Sequence, residues 1–205
     1  MSLFLGPIHY WLHGKIKIQN TIVEEIIAYA KEEYGTNYRE YLDTEYGIIE
    51  SAPLEEVIDE SNIHGWLQER IHRVEKHLAY TVTNILKDHP ESLDKLKEIY
   101  KNTGKNQAQK LNINHEATAS MIYKAAINDS LLDGMPCDHV NSVNSQEEDS
   151  ITWTRNECVH KEFWNAVDGD ISIYYLLRDE YINGFLENTG AKYEKIGEAT
   201  YRIRK

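Results

Sequence analysis

Apolar positions in the first two thirds of the chain recur at helical spacing. Between Ser61 and His89, the residues Ile63, Leu67, Ile71, Val74, Leu78, Val82 and Ile85 fall on one stripe. That is the mark of an amphipathic helix burying one face. Upstream, Pro7 suits a first helical turn, with Ile8, Leu12 and Ile16 along one side. Thr21 and Glu24 make a capping box and Gly35 a stop, which predicts a separate helix over 22–34. A short helix is expected over 54–60. Pro90 and Gly104 frame another, and Asn114 is expected to cap one that runs to Gly134.

Near residue 135 the texture changes. The stretch 141–150, NSVNSQEEDS, is polar and turn-like, whereas ITWTRNE alternates and predicts a strand. ISIYYLLRDEYINGFLENTG reads as a helix ending at Gly190. AKYEKI and ATYRIRK alternate about Gly197 and predict a terminal hairpin. The expected class is α+β. A helical part over 1–145 precedes an α+β part over 146–205, and the two share one core within a single domain.

A chain of 205 residues can bury such a core without staples. Its net charge of −12 would repel nucleic acid and anionic membranes, so neither is expected as a partner. No apolar run approaches a membrane span. The N-terminal MSLFLGPIHYWLHGK lacks a basic start and is broken by Gly6, Pro7 and His9, so it does not read as a secretory leader. With two cysteines, the expected compartment is a reducing cytoplasm, although a Cys137–Cys158 disulfide stays open.

Those cysteines carry the candidate chemistry. Each has a histidine two residues on, giving Cys137 with His139 and Cys158 with His160. Thiolate and imidazole are the usual ligands of zinc and also bind iron, so these four residues are candidates for one metal shell. If only three bind, His64 or His9 would be available as the fourth. The competing reading is two inert, core-like cysteines with histidines beside them. Asp138 between the ligands would orient an imidazole or act as a base, or else simply close a turn after Pro136. His9 and His13 share a helical side, but the Glu of a helical zinc motif is missing. His72, His77, His89 and His115 are expected to face solvent.

Arg178 stands in the middle of the face made by Ile171, Tyr174, Tyr175, Ile182 and Phe185. A buried guanidinium demands an anion. That anion is either a substrate carboxylate or an internal partner such as Asp138, Asp133 or Glu180.

Residues 150–205 resemble the aminothiazoline-carboxylate hydrolase-like and vinyl-reductase-like domains of bacteria. The resemblance rests on a strand leading to Cys158, a helix and the ending IGEATYRIRK. Those domains tend to end in a Gly-acid-x-Cys hairpin. Gly197 and Glu198 match it, and Thr200 stands where the cysteine would be. The resemblance implies a small-molecule pocket using Cys158 and hydrolysis of a carboxylate-bearing heterocycle.

Three functions are therefore carried forward. The first is a transition-metal protein, with zinc ahead of iron, that hydrolyses a small carboxylate-bearing molecule. In it Asp138 or His64 moves the proton and Arg178 holds the carboxylate. The second is a metal-free thiol enzyme with Cys158 as nucleophile and His160 or His64 as base. The third is a non-enzymatic protein that binds a small acidic ligand through Arg178 and tyrosines.

Overall fold

The computed structural model describes residues 5–205. Residues 1–4 of the stretch read as lacking a leader lie outside the described residues. The protein is α+β, with a helical N-terminal body and a four-stranded antiparallel sheet towards the C-terminus. The elements are α1 (Pro7–Tyr34), α2 (Arg39–Tyr46), α3 (Leu54–Val57), α4 (Ile63–Asp88), α5 (Leu93–Lys110) and α6 (Ala119–Tyr123). There follow β1 (Asn141–Gln146), β2 (Ser150–Arg155), α7 (Lys161–Asn165), α8 (Ile171–Leu186), β3 (Lys192–Lys195) and β4 (Thr200–Arg204). One cluster of buried apolar residues reaches from Leu12 to Ile203, so both parts of the chain contribute to a shared core.

The stripe predicted for α4 is where the core sits, since Leu67, Ile71, Val74, Leu78, Val82 and Ile85 are all buried. Asn62 caps this helix by accepting from the Gly65 amide at 3.2 Å.

Upstream, the two expected helices are one. α1 runs 28 residues through Gly14, and Thr21 is not a cap. Its hydroxyl donates to the Lys17 carbonyl one turn back (3.0 Å). A single interior glycine costs about 1 kcal/mol, too little to break a helix whose apolar side is buried from Leu12 to Ala30. Leu12, Ile16, Val23, Ile26 and Ala30 lie in the core, whereas Ile8 is exposed. At the far end Gly35 adopts φ 72°, and its amide bonds the Lys31 carbonyl at 3.1 Å, as the stop signal predicts.

Gly104 does not end its helix. It lies at a crossing of α5 and α8, which pack together more extensively than any other pair of elements. A Cβ built on Gly104 would overlap the Tyr181 carbonyl oxygen, and one on Gly184 would overlap that of Lys101. The two helices therefore touch backbone to backbone.

Asn114 closes a local turn onto the Glu116 amide (2.8 Å), and Thr118 caps α6 instead by accepting from Met121 at 3.2 Å. α6 then loosens into a π turn over Lys124–Asn128, so the helix expected to reach Gly134 stops short of it.

The sheet order is β1-β2-β4-β3. Ile151 pairs with Ile203 and Trp153 with Tyr201, which places four large side chains on the buried face. Tyr123 of α6 lies against Trp153, with ring centroids 5.0 Å apart. β1 falls in the segment read as turn-like. It is a polar edge strand with almost every residue exposed and an irregularity between Val143 and Ser145, so it shows no apolar alternation.

Two glycine substitutions should act in opposite directions. Gly14→Ala meets no atom within 4 Å and is expected to stabilise by up to about 1 kcal/mol through helix propensity. Gly104→Ala is expected to destabilise by about 2 kcal/mol or more, because α5 and α8 must separate. Urea unfolding of both variants measures the difference, and equal effects would contradict the backbone crossing.

Candidate functional site

Of the four Cys-x-His residues, His160 alone joins the cluster that the structure brings together. A buried polar chain crosses the core from α1 to α8. Gln19 of α1 donates to Glu75 of α4 (2.8 Å), whose other oxygen lies 3.1 Å from His160 Nδ1. On its far side, His160 Nε2 reaches the Tyr174 hydroxyl (3.0 Å) and Asp133 Oδ1 (3.4 Å). Asp133 is gripped by both guanidinium nitrogens of Arg178, at 2.6 and 2.9 Å, and accepts from Asn141 Nδ2 at 2.7 Å. Glu75, Asp133, His160 and Arg178 are all buried.

The charges balance. Burial by itself would push His160 down, but the Glu75 and Asp133 carboxylates outweigh it and hold the imidazole up at about 9. Burial likewise opposes the Asp133 carboxylate, yet Arg178 and His160 keep its pKa well below the usual range. Two anions thus face two cations. Arg178 is satisfied internally by Asp133, one of the partners named from sequence, and is not free to clamp a substrate.

His160 as an imidazolium donates from both ring nitrogens and has no lone pair for a metal or a thiol proton. Cys137 is exposed and Cys158 half-buried, and both are free thiols rather than a disulfide. His139 is exposed in a left-handed conformation (φ 49°). No group of three or more His, Cys, Asp or Glu side chains among the described residues is arranged to hold a metal ion.

Asp138 takes the turn role. Its carboxylate accepts from the Met135 amide (2.7 Å), and its own amide donates to the Met135 carbonyl (3.0 Å). Gly134, at φ 67°, leaves the room that this carboxylate occupies.

His64 is exposed in the first turn of α4, 5.7 Å from the His9 ring. His9 accepts from the Gly6 amide at the start of α1 (3.0 Å), while His13 is buried against Trp66, so the pair does not converge. His77 does not face solvent. It is fully buried, with one ring nitrogen 3.0 Å from the Gly47 carbonyl, and burial lowers it to about 4.

Two clefts flank the Gly134–Val140 loop, and both touch the buried chain. The first, about 330 Å³, is lined by Glu75, His72, Asp138, Cys158 and Glu162 among others. The second, about 240 Å³, is lined by Lys15, Trp11, Tyr123, Asp133, His139 and Asn141 among others.

Lys15 is the group that sequence reasoning missed. It is only 4% exposed. Its ammonium lies over the Trp11 ring, 4.2 Å from the centroid. The carboxylates whose charge acts on it are already engaged, Asp133 by Arg178 and Asp129 by Lys124. Burial pulls Lys15 down to about 8, a drop that Asp133 partly offsets and Arg178 deepens. In the same cleft Asn141 has a buried carbonyl oxygen with no partner. Its amide nitrogen must face the acceptor-only Asp133, which fixes which end is the carbonyl. The signal for Lys15 was present in the sequence, because it interrupts the stripe of Leu12, Ile16, Gln19 and Val23 on α1.

No family model, curated protein or solved structure matches the chain. No helix among the described residues is long and apolar enough to cross a membrane.

Two measurements probe the buried chain. Arg178→Met strips Asp133 of its bidentate partner and is expected to cost about 3 kcal/mol or more in unfolding free energy. For His160, the folded pKa lies above its unfolded value. Its contribution is therefore complete below about 6.5 and disappears as pH rises through about 9. The stability gap between wild type and His160→Gln should shrink over that window. A gap that stays constant from pH 6 to 10 would mean that the imidazole is not charged.

Proposed function

We propose that the protein binds a small carboxylate-bearing molecule in the cleft beside Lys15. The observation that carries this reading is a buried ammonium whose neighbouring carboxylates are committed elsewhere. The Glu75–His160–Asp133–Arg178 set is already neutral, so Lys15 is a net positive charge inside the protein. An incoming carboxylate would supply the missing anion and form a charge-assisted hydrogen bond. The Trp11 and Tyr123 rings provide walls, and Asn141 offers an acceptor for a ligand hydroxyl or amine. A cleft of about 240 Å³ suits a ligand of few heavy atoms.

The ligand class is the one that sequence reasoning attached to Arg178. What supports moving it to Lys15 is that Arg178 has its counter-ion and Lys15 has none.

Lys15→Met tests this directly. Removing an uncompensated buried charge is expected to raise the stability of the free protein by about 2 kcal/mol. It is also expected to weaken binding of a small carboxylate such as lactate by about ten- to a hundredfold. Because the carboxylate favours the ammonium form, binding to wild type should be strongest below pH 8 and decline as pH rises through it. Calorimetric titration at several pH values reads both effects. Equal affinity in wild type and variant, or no binding of any small carboxylate, would sink the reading.

A further inference from the structure

We infer that Lys15 is a covalent anchor, and that its amine condenses with the carbonyl carbon of a small 2-oxo acid to form an imine. This rests on the carboxylate site proposed above and names the ligand class that would use it most fully.

The geometry separates Lys15 from an ordinary lysine. Lys15 is buried on α1's packed side, its amine lies over the Trp11 ring, and both residues line one cleft. No carboxylate is paired with it, so nothing in the protein holds it in the ammonium form. Lys17, two residues on in the same helix, instead donates to the Ser51 and Ala52 carbonyls, each at 3.3 Å. Burial among apolar and aromatic groups favours the neutral amine, so a usable fraction of it exists near neutral pH.

The step balances without an oxidant or reductant. The nitrogen lone pair forms a bond to the carbonyl carbon, and the C=O π pair moves to oxygen, which takes a proton. The carbinolamine then expels that hydroxyl as water. One C=O and two N–H bonds are exchanged for one C=N bond and a molecule of water. Asn141 Oδ1, buried and unpartnered in the same cleft, is available to accept from the transient hydroxyl. A 2-oxo acid fits better than a neutral ketone. The protonated imine keeps the positive charge at the same place, directly beside the ligand's own carboxylate.

The test is reductive trapping. The full chain is incubated with pyruvate and sodium cyanoborohydride, digested and mapped by mass spectrometry. The expected result is one reduced adduct on Lys15, at least about tenfold above any other lysine. The adduct should be retained in Lys17→Met and lost in Lys15→Met. Adducts spread evenly over the surface lysines would overturn the inference. Lactate, the same skeleton without the reactive carbonyl, separates the two readings. If lactate binds but pyruvate leaves no adduct, the anchor falls and the carboxylate site stands. If lactate does not bind and no adduct forms, both fall.

Discussion

The structure is organised around the ionised contact between His160 and the carboxylates on either side of it. Taking four charges out of water is costly, and only close pairing makes it tolerable. Glu75 comes from the longest buried stripe, Asp133 from the loop before the sheet, His160 from the turn before α7 and Arg178 from α8. Each partner is needed to neutralise the next, so the contact fixes how the helical body meets the C-terminal elements. Gln19 and Asn141 satisfy what remains at its two ends.

This arrangement explains why Lys15 differs in kind from Arg178, although both are cations within an apolar stripe. Arg178 is a structural charge with a bidentate partner. Lys15 is a buried cation with no paired carboxylate among the described residues. An interior that keeps one uncompensated charge gives up stability at that point, which is the usual signature of a group held ready for something outside the protein.

The parts of the fold that were legible in the sequence are those in which local pattern and tertiary burial agree. The α4 stripe, the α8 helix and the C-terminal hairpin are of this kind. Thr21 and Gly104 misled because one reads locally as a cap and the other as a stop, whereas a long buried face carries α1 past the first and a close helix crossing requires the second. β1 was invisible because an exposed edge strand carries no apolar alternation. At the site, Arg178 stood out as a charge on an apolar face, and Asp133 was among its named partners. The convergence of Glu75 and His160 could not be read, because 85 residues separate them. The paired Cys-x-His spacing drew attention to His160, whose hydrogen-bond partners in the structure are Glu75, Asp133 and Tyr174. Lys15 was overlooked because a long lysine on a helix is commonly read as snorkelling to solvent.

The glycine crossing of α5 and α8 has a mechanical consequence. Where two helices meet through backbone at two glycines, no side chain lies between them at those points to shear or repack, so the pair is a stiff beam at the crossing. Arg178 is mounted on that beam, and through it Asp133 is held. Next to Asp133, the Gly134–Val140 loop leads into β1 with two left-handed residues and few buried side chains. Asp133 lines the cleft beside Lys15, so the crossing is tied to one of its walls, and the Gly134–Val140 loop supplies another.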